Sequence, residues 1–228
     1  MRPVLKNSGP GSIPKDYKKY RGYLTENLGY YCSYCERRIE YGIGVEHVKP
    51  KTIYNNLELD WDNLLIACVN CNSTKGHKDI ILSEFYWPHL DNTAKAFLYS
   101  TGGIVRINTQ LLPQQHLRAQ KMIDLVGLDR VPSDNITENP EESDNRWKFR
   151  LLAWNKAEEL KNDLMQEDTE RIRRLIIDMA TVTGYFSVWM TVFQSDLEMR
   201  KSLLTAFKGT DTSCYNTNTL EYLSKGHL

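Results

Sequence analysis

A chain of 228 residues, 41% hydrophobic and 25% charged, has the composition of a soluble globular protein and the length for one large domain or two small ones. Its 29 basic and 29 acidic side chains cancel, which argues against a strongly basic, stand-alone nucleic-acid binder. The longest apolar region, around Phe186 to Phe193, is too short and too polar to span a bilayer, and the N-terminal MRPVLKNSGPGSIPKDY lacks a signal-peptide core, so a cytoplasmic protein is expected.

Residues 1–14 are rich in Pro, Gly and Ser and read as an extended arm. Tyr20, Tyr23, Leu24 and Leu28 recur at helical spacing and predict a helix over 16–28, stopped by Gly29. A turn is expected from Tyr31 to Cys35. Two short strands follow, over 38–42 and 45–48, with Gly42 and Gly44 in the bend and Pro50 ending the second. The run Leu64, Leu65, Ile66 and Ala67 reads as the start of a short helix that carries the next two cysteines. Residues 96–100 and 104–108, joined by Thr101-Gly102-Gly103, resemble a hairpin. A helix through Leu117, Met122, Ile123 and Val126 should stop at Gly127, and Val131 to Pro140 reads as a linker.

The last third is patterned as helix. Trp147, Leu151, Trp154, Ala157, Leu160 and Leu164 recur every three or four residues, as do Ile172, Leu175, Ile176 and Met179, and then Tyr185, Val188, Trp189, Val192 and Phe193. Another helix is expected over 198–207. The tail beyond Gly209 is polar and weakly patterned.

Four of the five cysteines form two C-x-x-C pairs, Cys32 with Cys35 and Cys68 with Cys71. In a reducing compartment such pairs are better read as four thiolate ligands of one structural Zn²⁺ than as disulfides or redox thiols. Cys214 is remote and reads as incidental. Between the pairs lie Glu46-His47 and Asn63, and Asn72 follows the last cysteine. Carboxylate and amide oxygens suit a hard cation such as Mg²⁺, and a neutral histidine can take a proton from water. Such a set can perform metal-assisted hydrolysis of a phosphodiester. Adjacent strand residues face opposite sides, so Glu46 and His47 share one site only where the strand bends or the metal sits at its edge. The bland alternatives are a structural His47, a solvated Glu46, a helix-capping Asn63, and plain surface charge for Arg37, Arg38, Lys49, Lys51, Lys75 and Lys78. Residues 1–80 hold 12 basic against 9 acidic side chains, and the remainder 17 against 20, a small asymmetry that permits a phosphate substrate at the N-terminal end and leaves part of the grip to a partner.

The order C-x-x-C, Glu-His opening onto Pro50, Asp-Asn-Leu, Cys-x-x-Cys-Asn and Lys75-Gly76 resembles the HNH nucleases, the ββα-metal fold. The resemblance implies His47 as general base, Asn63 as brace of the loop that orients it, and Asn72 and Glu46 as ligands of the catalytic metal. The family more often has aspartate at the Glu46 position. His77 is a rival to Asn72 and ranks below it, because Asn72 directly follows a zinc cysteine. The phrases CSYCER, VEHV-x-PK and NSTKGH, with a helical C-terminal region, are similar to the Septu branch of the family. Those are HNH subunits of anti-phage systems, some retron-associated, and the similarity implies a PtuA-like ATPase partner.

The expectation is therefore an α+β chain. A zinc-stapled ββα-metal module with its N-terminal arm and helix covers residues 1–80, a connecting hairpin and helix 81–135, and a mainly helical, partner-docking region 136–228. The expected function is metal-dependent endonuclease action on DNA. The alternatives are cleavage of RNA, tRNA included, by the same site, or a non-catalytic zinc scaffold.

Overall fold

The computed structural model describes residues 1–132 and 144–228. Most of the linker read over Val131 to Pro140, and the boundary at 136, lie outside the described residues.

A single turn of 3-10 helix at Tyr17–Lys19 leads into α1, Tyr20–Leu28. Asp16 starts it by accepting a hydrogen bond from the Lys18 amide at 2.8 Å, and Gly29, at φ +74°, ends it. Its buried face is Tyr20, Leu24, Thr25 and Leu28, while Tyr23 is exposed. The Tyr20 hydroxyl donates to the Leu59 carbonyl at 2.8 Å and so ties α1 to the loop beneath the site.

The strand pairing differs from the sequence expectation. β1, Gly44–His47, pairs antiparallel with β2, Leu64–Ala67, in the register Gly44 with Ala67 and His47 with Leu64. Residues 38–42 form no strand, and Leu64–Ala67 is not helical. The reason is burial: all four β2 side chains are fully enclosed, and a short apolar run buried on both sides is as good a strand as a helix start. α2, Val69–Lys75, begins only after Cys68 and stops at Gly76. At Gly44 a side chain would meet the Ala67 carbonyl at 3.0 Å and the Asn72 amide nitrogen at 3.4 Å, so its absence lets α2 close onto β1.

β3, Phe97–Ser100, and β4, Ile104–Ile107, form the expected hairpin, and α3, Pro113–Val126, ends at Gly127 in the left-handed conformation. The helical third consists of α4 (Arg146–Gln166), α5 (Glu170–Thr183), α6 (Phe186–Val192) and α7 (Leu197–Ala206). The α4 buried face is rotated from the expected one. Arg146, Arg150, Ala153, Trp154, Ala157, Leu160 and Leu164 point inward, and Trp147 and Leu151 are only partly buried. Trp154, Tyr185 and Trp189 fill this chain's own core, with Trp189 stacked on Phe193 at 6.4 Å.

Both ends of the sequence are better anchored than their composition suggests. Met1 to Val4 are buried, Val4 bridges to Thr210, and Arg2 donates to the carbonyls of Leu28, Phe207 and Lys208. In the tail, Cys214, Tyr215 and Leu220 pack inward. The class is thus mixed α/β with two small sheets, a cysteine-stapled ββα unit and a helical C-terminal region, as expected.

Candidate active site

Two tight turns deliver the cysteines. The Cys32–Glu36 turn closes through the Glu36 amide donating to the Cys32 carbonyl at 3.0 Å. The first turn of α2 closes through the Asn72 amide donating to the Cys68 carbonyl at 3.0 Å. All four Sγ atoms lie within 4.8 Å of one another and are buried, and Cys35 and Cys68 are 3.7 Å apart. A tetrahedral zinc with Zn–S bonds of about 2.3 Å sets its sulfurs roughly 3.8 Å apart, so the quartet is positioned to hold that ion. Burial pushes the Cys35 and Cys71 thiols well up, while hydrogen bonds from Cys32, Cys35 and Cys71 pull Cys68 down. Deprotonating all four in this enclosed site requires a positive partner, which is what a dication provides.

A second cation reaches the quartet from the helical third. Arg146 donates to Cys71 Sγ at 3.1 Å, to the Val126 and Gly127 carbonyls at 2.7 and 3.0 Å, and forks onto Asp144 with two bonds of 2.6 Å. Burial opposes its charge, but the Asp144 fork and the Cys71 and Cys35 sulfurs outweigh that and hold it protonated.

Glu46, His47, Asn72 and His77 line one cleft of about 530 Å³, together with Tyr17, Pro50, Lys51 and Val69. Neighbouring positions on β1 thus do meet in one place. His47 sits at the strand end, its ring 4.9 Å from Tyr17 in an edge contact. Its Nε2 lies 3.0 Å from the Glu58 carbonyl oxygen. A carbonyl can only accept, so Nε2 carries the proton and a neutral ring keeps its lone pair on Nδ1. Burial lowers the His47 pKa, partly offset by the Glu58 carbonyl, which favours that neutral form.

Asn63 is buried and caps no helix. Its Oδ1 accepts from the Lys49 amide at 2.7 Å, and its Nδ2 donates to the Lys49 and Leu57 carbonyls at 3.0 and 3.1 Å. Those bonds tie the segment after His47 to the segment just before Glu58.

Glu46 is no solvated strand residue. It is 2% exposed, its Oε1 lies 2.9 Å from Lys75 Nζ, and the Tyr34 hydroxyl donates to the same oxygen at 3.4 Å. Burial raises its pKa, and Lys75 and Tyr34 counter that. Both contacts fall on Oε1. Lys75 is therefore not surface charge: it is 1% exposed and also donates to the His47 carbonyl at 2.8 Å, clamping β1 to α2. Among the described residues no third His, Cys, Asp or Glu joins Glu46 in a ligand cluster. A carboxylate and an amide oxygen fit a hard cation that keeps most of its waters. His77 lies past the helix end and is exposed, whereas Asn72 is half-buried within α2.

Sequence reasoning missed Tyr17, the Glu58 carbonyl and Arg146. Only Tyr17 left a trace, as an aromatic beside the helix-starting Asp16.

Residues 32–78, which hold the cysteine quartet and all of the cleft lining except Tyr17, match the family model of the HNH endonucleases. Beyond that class, the chain is 38% identical over 86 residues to the Septu protein PtuB of Bacillus thuringiensis. The match covers 35% of this chain and 34% of that protein, so the chain spans about a third of the curated relative it matches.

Proposed function

We propose that this chain is a metal-dependent endonuclease that hydrolyses phosphodiester bonds, with DNA as the first substrate class to test and RNA, tRNA included, as the alternative. The observation that carries the reading is the fixed tautomer of His47. Its Nε2–H is engaged by the Glu58 carbonyl, so Nδ1 is the atom left to take a proton from water in the cleft that Glu46 and Asn72 also line. Asn63 acts as a positioning residue by tying the chain on either side of that contact. Glu46 and Asn72 would hold Mg²⁺ or a similar divalent cation. When bound, such a cation stabilises negative charge on the phosphate and on the leaving oxygen. Asn72 is preferred over His77 because α2 fixes it beside Cys71.

The division of labour follows the sequence. Residues 1–80 carry the chemistry, 81–135 connect, and 136–228 dock a partner. Similarity to the Septu protein PtuB supports an effector role in cytoplasmic anti-phage defence beside a PtuA-like ATPase. Among the described residues no helix is long and apolar enough to cross a membrane.

The test incubates the purified chain and His47→Ala, with and without that ATPase, with plasmid DNA and total RNA in Mg²⁺ or EDTA. Metal-dependent cutting lost in His47→Ala, with zinc content and melting temperature unchanged, is the expected result. Full activity in His47→Ala overturns the assignment. No cutting under any condition moves the non-catalytic zinc scaffold ahead.

A further inference from the structure

A second groove, of about 800 Å³, opens between the zinc knuckle and helices α4 and α5. Val69, at the start of α2, lines both it and the catalytic cleft, so the two hollows share a rim. The knuckle side brings Arg37, Arg38 and Tyr41, and α4 brings Phe149 and Lys156. Among the described residues, three cations therefore face one carboxylate, Glu40. Arg38 is 3.8 Å from Glu40 and Lys156 is 2.6 Å from Glu159, but the Arg37 guanidinium makes no ion pair or hydrogen bond among the described residues. It lies over the Phe149 ring instead, 5.3 Å from the centroid. Tyr41 is 89% exposed and Phe149 41%, so two aromatic faces are open to solvent at the edge of a cationic groove.

We infer that this groove holds the nucleic-acid strand that runs on from the scissile phosphate, with an unstacked base on the Tyr41 and Phe149 rings and its phosphate on Arg37. The inference rests on the nuclease reading of the neighbouring cleft and adds a substrate class to it: the strand is unpaired next to the cut. Exposed aromatics and an arginine with no anionic partner among the described residues suit bases and phosphates, since every base has a face to stack and the backbone supplies anions. A stacked base needs no hydrogen bonds from the aliphatic floor that α4 and α5 provide. An apolar protein segment would fill that floor as well, but it would leave Arg37 without a counter-charge and would not account for the shared rim.

The experiment measures binding by fluorescence anisotropy, in the full chain carrying His47→Ala so that nothing is cut. The probes are labelled 20-nucleotide single strands of DNA and of RNA and the corresponding duplexes, with and without the ATPase partner. Tyr41→Ala, Phe149→Ala and Arg37→Ala are then added singly; all three sites are open enough for the fold to tolerate the change, which melting temperatures check. Single strands are expected to bind more tightly than duplexes. Each aromatic truncation should weaken single-strand binding by about 5- to 150-fold, the range of one base stack. Loss of Arg37 should lower the slope of log K against log salt by about 0.7.

Single-strand affinities unchanged within twofold in all three variants overturn the inference, even where the wild type cuts. Unchanged nucleic-acid binding with lost co-purification of the ATPase also overturns it, and makes the groove a protein-docking surface. A chain that neither binds any probe nor cuts any substrate overturns this inference and the nuclease reading together.

Discussion

Arg146 Nη1 lies 3.1 Å from Cys71 Sγ, which places a side chain of the helical third in direct contact with the zinc quartet. The same guanidinium neutralises Asp144 and satisfies two carbonyls at the end of α3. Removing it takes both fork bonds from the buried Asp144 carboxylate, leaving only the longer 3.6 Å contact with Arg130, and strips a positive charge from a cluster of thiolates. Arg146→Met should therefore cost about 3–5 kcal/mol in stability. It should also release zinc faster to a chromogenic chelator. Arg146→Lys restores the charge but not the fork, so a partial rescue of zinc retention separates electrostatics from geometry.

The quartet itself gives a sharper test. Zinc analysis should return one ion per chain, held by Cys32, Cys35, Cys68 and Cys71. Because structural zinc supplies on the order of 10 kcal/mol to a site of this kind, Cys68→Ser should lose the ion and with it the order of the segment from Cys32 to Gly76. Hydrogen exchange would show β1 and β2 exposed while the amides of α5 stay protected. A Cys68→Ser protein with full zinc and native exchange contradicts the assignment.

What the sequence makes legible follows from how local each signal is. Paired cysteines, the Gly102-Gly103 hairpin and the Gly127 stop depend on a few neighbouring residues, and each stands where it was read. The β1–β2 pairing is not local. Leu64–Ala67 is apolar at every position, so neither a period of 2 nor one of 3.6 can be read from it, and only the partner strand Gly44–His47, distant in sequence, decides. The rotated face of α4 escapes for a different reason. Arg146 and Arg150 count as surface residues by type, yet both are buried: Arg146 donates to the Val126 and Gly127 carbonyls and to Asp144, and Arg150 donates from Nε to the Gly103 carbonyl. At the site, residue types were readable from the motif. The Glu58 carbonyl was not, since a backbone acceptor has no sequence signature.

The pH profile of cleavage should report His47. A general base works as its neutral form, and burial lowers this pKa, so neutral imidazole persists below the ordinary histidine value. The acid limb of kcat/KM should fall off only below about pH 6.5. Asn63→Ala should depress kcat more than KM, because it loosens the orientation of the base without touching substrate contacts. An acid limb well above pH 7 would place the proton on another group.

His89 links pH to stability rather than to chemistry. Burial, with repulsion from Lys6 and Lys225, lowers its pKa to about 3, and its Nδ1 is enclosed with no hydrogen-bond partner among the described residues. The native state therefore keeps the ring neutral while the unfolded chain protonates it near 6.5. For a pKa depressed by folding, the contribution is fully present above the unfolded value and drains away as pH falls towards the folded one. Melting temperature should drop between pH 6.5 and 3, and His89→Gln, which cannot titrate, should flatten that drop. Parallel curves for the two proteins would refute the role.

Glu36 follows the zinc ligand Cys35 and anchors that turn to α6. Its carboxylate accepts the Ser187 amide and hydroxyl, both at 2.7 Å, and the Tyr99 hydroxyl at 3.0 Å, and it lies 3.3 Å from the Met1 amino group. Its backbone adopts φ +66°, with Gly184 packed so closely that a Cβ there would meet the Glu36 carbonyl at 2.7 Å. Burial works against ionisation, yet the amino group and the Ser187 and Tyr99 donors prevail and hold the carboxyl below its ordinary value. Glu36→Gln removes the charge opposite the buried Met1 amino group and leaves one amide oxygen for the Ser187 N–H and that amino group, at a cost of about 3–5 kcal/mol. For a chain of this size that is a fall of roughly 6–20 °C in Tm. Ser187→Ala removes one donor and leaves the carboxylate paired, so its loss should be smaller. In the double variant the two costs should fall short of adding, because Ser187 can only matter through Glu36.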